Sequence, residues 1–158
     1  YYHCDKLGML VWQDMPSGDL GNRWNPHPGV TGLETERDRT PESEAIFRTE
    51  WKAILDATYN FPSIVVWVPF NEAWGQFKTG DITRWTKAYD PSRLVNSASG
   101  GNFYNVGDMI DLHHYPDPAM PSPELFGDKQ VLVLGEFGGL GLPVEGHTWQ
   151  DKNNWGYQ

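Results

Sequence analysis

Apolar positions along this chain fall in short clusters, and their spacing alternates between two periods. At 10–14 (LVWQD) a short β-prone run reads as a strand. Residues 15–40 are rich in Gly, Pro, Asn, Asp and Arg and read as a long loop, a feature that usually serves function in a compact domain. Thr40-Pro41-Glu42 then opens a helix, with Thr as cap, Pro in the first turn and acids beside it. Phe47, Trp51, Ile54, Leu55 and Thr58 follow at helical spacing, and the helix is expected to stop near Asn60, before Phe61-Pro62. Residues 63–70 (SIVVWVPF) are almost continuously apolar, the pattern of a strand covered on both faces, as in parallel sheets. A second helix is predicted over 81–89, with Ile82, Trp85 and Tyr89 on one face and Asp90-Pro91 as its end. Further strands are expected at 94–98, 109–114 and 131–136, the last two joined through a short helix. Strands alternating with helices imply an α/β fold whose strands run parallel through right-handed crossovers.

Composition narrows the function. With 158 residues there is enough chain for one domain with a hydrophobic core. No stretch approaches the ~20 apolar residues of a membrane span. The balance of 12 Lys and Arg against 21 Asp and Glu, a net charge of -9, argues against a nucleic-acid partner, which requires clustered cations. It is compatible with a neutral substrate. A lone cysteine, Cys4, excludes an internal disulfide and a cysteine zinc site. Aromatic residues make up 14% of the chain, with 8 Trp; they serve either as core filler or as flat platforms for the C–H face of a sugar ring, and composition leaves both open.

Chemistry in parallel α/β folds sits at the C-terminal ends of strands. Those ends are Gln13-Asp14, Asn71-Glu72, Ser97 to Ser99, His113-His114-Tyr115 and Gly135-Glu136. Two of them place a glutamate directly after an apolar run, where a carboxylate is costly. One such glutamate is readily explained as the start of a solvated loop. Two on the same sheet edge point to the paired carboxyls of glycoside cleavage, one protonated to release the leaving oxygen and one ionised to attack the anomeric carbon. Glu72 lies among Phe70, Ala73 and Trp74, and Glu136 precedes Phe137-Gly138-Gly139, a backbone able to bring donors close. His113 and His114 are adjacent on a strand, so they face opposite ways and make a poor metal pair. One of them can face the pocket and bond a sugar hydroxyl, and we assign that place to His114; a histidine bonded to its own loop is the plain alternative. Trp149 and Trp155 stand in a polar tail that either folds over the pocket or packs as a loop.

The run Trp67-Val68-Pro69-Phe70-Asn71-Glu72-Ala73-Trp74-Gly75 resembles the fourth-strand signature of the large clan of retaining glycosidases built on TIM barrels. Leu134-Gly135-Glu136-Phe137-Gly138 is similar to the clan's seventh-strand nucleophile motif, and the opening Cys4-Asp5-Lys6-Leu7-Gly8-Met9-Leu10-Val11-Trp12-Gln13-Asp14 resembles glycoside hydrolase family 2, the family of β-galactosidases, β-glucuronidases and β-mannosidases. The resemblance implies an incomplete (β/α)8 TIM barrel spanning approximately strands three to seven over residues 1–158. It implies Glu72 as acid/base, Glu136 as nucleophile, Asn71 at the sugar 2-hydroxyl, Tyr115 as a support of the nucleophile and Asp14 in the sugar pocket. Trp74 adds an aromatic face to that set. Trp12-Gln13-Asp14 looks closer to the mannosidase branch, so the sugar is left open.

The expectation is therefore a retaining, exo-acting β-glycosidase, β-galactosidase-like, with a carbohydrate substrate and with no metal or organic cofactor, since two carboxylates suffice. A β-mannosidase, a β-glucuronidase, an endo-glycanase of the same clan or a non-catalytic carbohydrate-binding domain are the alternatives. Five strands do not close a barrel that needs eight in about 250 residues. The chain is thus expected to be a piece of a larger multidomain protein, inactive alone, with open sheet edges that invite dimer pairing or aggregation. Localisation is unknown; a periplasmic or cell-surface site is suggested by family habit alone.

Overall fold

The computed structural model describes residues 1–18, 20–21, 23–24 and 36–148. Its elements are α1 (Tyr2–Leu7), β1 (Val11–Asp14), α2 (Pro41–Thr58), β2 (Ile64–Val68), α3 (Thr79–Tyr89), β3 (Leu94–Val95), β4 (Met109–His114), a 3-10 turn at Pro123–Leu125 and β5 (Val131–Phe137). Trp149 and Trp155 lie outside the described residues, as does much of the 15–40 loop.

β1, β2 and β3 form a parallel sheet in chain order, and β4 pairs in parallel with β5. A single parallel bridge, Asn96 to Met109, joins the two groups. Successive strands are thus spatial neighbours, as in the wall of an α/β barrel. β3 is shorter than the sequence suggests. Beyond Val95 the chain keeps only isolated pairings, Asn96 with Met109 and Ser99 with Asn71. α1 escapes sequence reading because it has no side-chain cap, buries nothing and ends after six residues at Gly8 in the left-handed region.

The long helix forms for the reasons its sequence advertises. The Thr40 side chain accepts from the Ser43 N–H, Pro41 occupies the first turn, and Glu42 and Glu44 face the positive end of the helix dipole. Phe47, Trp51, Leu55 and Thr58 are buried along one stripe. Phe47, Trp51 and Leu55 pack with Ile64, Trp67, Phe70, Phe77 and Ile82 into the main core, between the helices and one face of the sheet. Val66, Val68 and Met109 form a second, smaller cluster. Ile64 and Trp67 share the first cluster although three residues apart because Val65 is an extra residue in the ladder: Val11 pairs Ile64, and Trp12 pairs Val66. A second irregularity, in β5, matters more. Leu112 pairs Leu134 but His113 pairs Glu136, so Gly135 is the inserted residue and Glu136 is re-aimed beside His113.

Candidate active site

Glu72 leaves the end of β2 through a strained turn. Glu72 and Ala73 have φ of 48° and 60°, in the left-handed region that non-glycine residues seldom occupy. The turn is held by the backbone, with Glu72 N–H donating to the Ser99 carbonyl (2.8 Å) and Trp74 N–H to the Asn71 carbonyl (3.0 Å). His113, at the end of β4, stands between the two glutamates. Its Nδ1 is 3.2 Å from Glu72 Oε1 and 3.3 Å from Glu136 Oε2, and the facing atoms of all three lie within 4.8 Å of one another. The Tyr115 hydroxyl donates to that same Glu136 oxygen. With Tyr115 and His113 converging on it, Glu136 Oε2 is an acceptor in a hydrogen-bond network, and the cluster reads as acid–base chemistry.

Two glycines make room for this arrangement. A Cβ on Gly100, at φ +57°, would sit 2.2 Å from His113 Nδ1, inside the space of the imidazole. A Cβ on Gly135 would sit 2.1 Å from Asp111 Oδ1, which accepts the Gly135 N–H at 2.7 Å. Buried Asp111 also accepts from Asn96 Nδ2 (2.9 Å) and from the Ser99 hydroxyl (2.6 Å), and Ser99 Oγ lies 2.9 Å from His113 Nε2. One carboxylate therefore ties β5 and the segment after β3 to the histidine.

Residues 1–132 match the family model described as glycosyl hydrolases family 2, TIM barrel domain. The chain belongs to that family. Among its relatives are a protein of Formosa agariphila provisionally named a β-glucuronidase, 34% identical over 87 residues, and a β-galactosidase of Aeromonas hydrophila subsp. hydrophila, 27% identical over 165 residues. The first alignment covers 52% of the chain and the second 95%, but only 8% and 15% of the respective relatives. The fold is similar to that of a solved FMN-binding β-glucuronidase from Facaelibacterium prausnitzii L2-6, with a TM-score of 0.52 at 21% identity, over 72% of this chain and 17% of that one. The family match ends before Glu136.

Within this cluster the charges are crowded. Burial works against a charged His113, but its links toward Asp111 and Glu72 and the negative charge of Glu136 outweigh burial and raise its pKa above the usual imidazole value. Of these partners Asp111 is 3.8 Å away, so that link runs through the intervening Ser99 hydroxyl. The Asp14 carboxyl is pushed up from 3.8 to about 6, first by burial and then by the charges of Glu136 and Asp111, with His113 opposing. A raised carboxyl pKa means that the folded state holds a proton the unfolded chain has already lost. Stability from Asp14 therefore falls as pH rises between about 4 and 6 and stays lower above. Asp14→Asn is expected to stabilise the protein by about 1–2 kcal/mol at pH 8, after allowing for partial solvent screening, and by nothing below pH 4. Urea unfolding at the two pH values measures this; an equal effect at both would show that the charge is not its cause.

The other residues singled out in the sequence are distributed as follows. Asn71 lies beside Glu72, and its buried Oδ1 has no hydrogen-bond partner among the described residues. Trp74 is 43% exposed and lines a cleft of about 480 Å³ with Met15, Pro16, Arg39, Phe47 and Phe70, a cleft whose lining includes neither Glu72 nor Glu136. His114 lies apart from the glutamate cluster. It is exposed, and its Nδ1 meets the Asp117 carbonyl at 2.6 Å. The bulge at Gly135 pairs His113 with Glu136, and strand alternation then turns His114 away. Gly100 and Asp111 are not legible as site residues, and Ser99 is legible only as part of a strand end, because the fold alone brings them to His113. The one available signal was an aspartate in an otherwise apolar strand, a burial that needs compensation.

Proposed function

We propose that these residues form the site-bearing part, approximately strands three to seven, of the TIM barrel of a retaining β-glycosidase. The observation that carries the reading is the approach of Glu72 and Glu136, whose facing oxygens are within 4.8 Å. Double displacement places its carboxyl groups about 5–5.5 Å apart, whereas inversion leaves about 6.5–9.5 Å for a water. Glu136, receiving the Tyr115 O–H, attacks the anomeric carbon. Glu72 protonates the departing oxygen. The glycosyl–Glu136 ester is then cleaved by a water that Glu72 deprotonates, which restores both groups. Asn71 Oδ1, a buried acceptor with no hydrogen-bond partner among the described residues, suits a sugar hydroxyl. Asp14 and Trp74 are assigned to the sugar and its neighbourhood; His114 takes no part.

The substrate class is a terminal β-glycoside, with galactosides and glucuronides first because relatives carry those names. A β-mannoside or an internal glycan linkage are the remaining choices, and a panel of aryl β-glycosides separates them. The test of mechanism is the anomer first formed by the complete enzyme containing these residues, followed by proton NMR. The β-anomer is expected. Initial release of the α-anomer would rule out double displacement, and sugar binding without turnover would favour a carbohydrate-binding protein.

A further inference from the structure

We infer that His113 is a positioning residue for the acid Glu72, holding one proton between Glu72 and Glu136 at Nδ1 while Ser99 and Asp111 fix its ring from behind. This rests on the roles proposed for Glu72 and Glu136.

The argument is a count of protons. Ser99 has one hydroxyl proton, and its oxygen is 2.6 Å from Asp111 Oδ2, an acceptor that also receives Asn96 Nδ2 at 2.9 Å. With that proton spent on Asp111, the Ser99 oxygen can only accept from His113, 2.9 Å away, so Nε2 carries a hydrogen. Nδ1 then faces two carboxyl oxygens at 3.2 and 3.3 Å. An unprotonated Nδ1 would point its lone pair at two acceptors, so one proton must lie among the three groups. It resides on Nδ1, giving an imidazolium between two carboxylates, or on Glu72 Oε1, donating back to a neutral ring. Moving it from one to the other breaks the N–H bond, forms the O–H bond and conserves total charge. The second arrangement is the one the first chemical step uses: Glu72 protonated, Glu136 ionised.

The surroundings are built for this. The His113 side chain is 5% exposed, against 41% for Glu72 and 39% for Glu136, so the ring is the fixed member and the glutamates face the substrate side. Gly100 vacates the volume the ring fills, and Gly135 lets Asp111 approach closely enough to hold the strand end. The ionisable groups around the ring come from every neighbouring strand end: Asp14, Glu72, Asp111, Tyr115 and Glu136.

The test compares wild type, His113→Asn and Ser99→Ala in the complete enzyme. The measured quantity is kcat/KM as a function of pH, for an alkyl β-glycoside and for a dinitrophenyl β-glycoside whose departure needs no proton. Without the imidazole, Glu72 must keep the proton unaided, with only the neighbouring Glu136 charge to favour it. The alkaline limb of the alkyl-glycoside profile is expected to move acidward by at least about one unit in His113→Asn. At pH 7 the alkyl substrate should slow roughly 10–100-fold and the dinitrophenyl substrate less than about threefold. Ser99→Ala keeps the ring and should show the same shift at smaller size, which preserves the test if His113→Asn fails to fold. An unchanged pH profile in the folded variants, or an equal loss on both substrates, overturns the inference while leaving retention intact. A wild type that turns over no β-glycoside overturns the functional reading itself, and this inference with it.

Discussion

Replacing Glu136 with alanine is expected to lower kcat by roughly 10⁴–10⁶-fold, the scale on which removal of a nucleophile acts. Azide is then expected to restore turnover, giving the α-glycosyl azide. The stereochemistry is what makes the result informative. With the nucleophile gone, azide enters from the side of the ring that Glu136 occupied and displaces the leaving group once, with inversion. Glu72→Ala behaves oppositely: the glycosyl–Glu136 ester still forms from activated substrates, azide intercepts it, and the product is the β-glycosyl azide. The nucleophile's place is assigned to Glu136 because the Tyr115 hydroxyl donates to it, while Glu72 Oε1 faces His113 Nδ1. Products exchanged between the two variants would exchange the roles. Loss below about tenfold in both would remove these carboxyls from the chemistry altogether.

The parts of the fold that sequence makes legible are those where local chemistry and tertiary packing ask for the same residues. Thr40-Pro41 starts α2 where its cap chemistry predicts, and Phe47, Trp51 and Leu55 face the core that their spacing predicts. β2 reads as buried on both faces because it is, with Val66 and Val68 in one cluster and Ile64 and Trp67 in another. Legibility ends where an element is defined by pairing at a distance. The regular ladder at β3 is two residues long, and beyond it Asn96 and Ser99 keep isolated bridges to Met109 and Asn71, pairings that no local pattern encodes. The site shows the same division. Glu72 and Glu136 announce themselves as acids ending apolar runs, whereas the choice between His113 and His114 depends on one inserted residue, Gly135, which changes the phase of a strand. A period-2 pattern gives two faces but not which face meets the neighbour. Gly100 and Gly135 look like ordinary turn glycines until the ring of His113 and the carboxylate of Asp111 are seen in the space a Cβ would take.

Asp90→Ala is expected to destabilise the fold by about 3–5 kcal/mol, the largest stability effect among the substitutions considered, because it strips a buried cation of its partner. Asp90 is fully buried, and Arg93 is 11% exposed in its side chain. The carboxylate accepts from Arg93 Nη1 (2.6 Å), Trp67 Nε1 (2.9 Å) and the Ser92 N–H (3.0 Å). Arg93 in turn donates to the carbonyls of Ile64 (2.7 Å), Tyr59 (2.7 Å) and Phe61 (3.0 Å), so this pair clamps the end of α2 to the start of β2. Removing the carboxylate leaves a guanidinium and an indole N–H without their acceptor in a place water reaches poorly. Burial alone would raise the Asp90 pKa, but the hydrogen bonds from Ser92, Arg93 and Trp67 overcome it and lower the pKa from 3.8 to about 2. A lowered carboxyl pKa stabilises the folded state above the unfolded value near 4, and that contribution is lost as pH falls through about 2. The gap between wild type and variant in urea unfolding should therefore be widest near neutral pH and should narrow toward pH 2. A gap under about 1 kcal/mol at pH 7 would place Asp90 with the exposed ion pairs such as Lys52 and Asp56, whose loss costs little. The clamp matters to the site because β2 carries Glu72 at its far end. A variant that keeps its fold but lets α2 and β2 shift would be expected to lose turnover before it loses secondary structure, since misplacing a reacting group by about 1 Å can cost roughly 100-fold in rate.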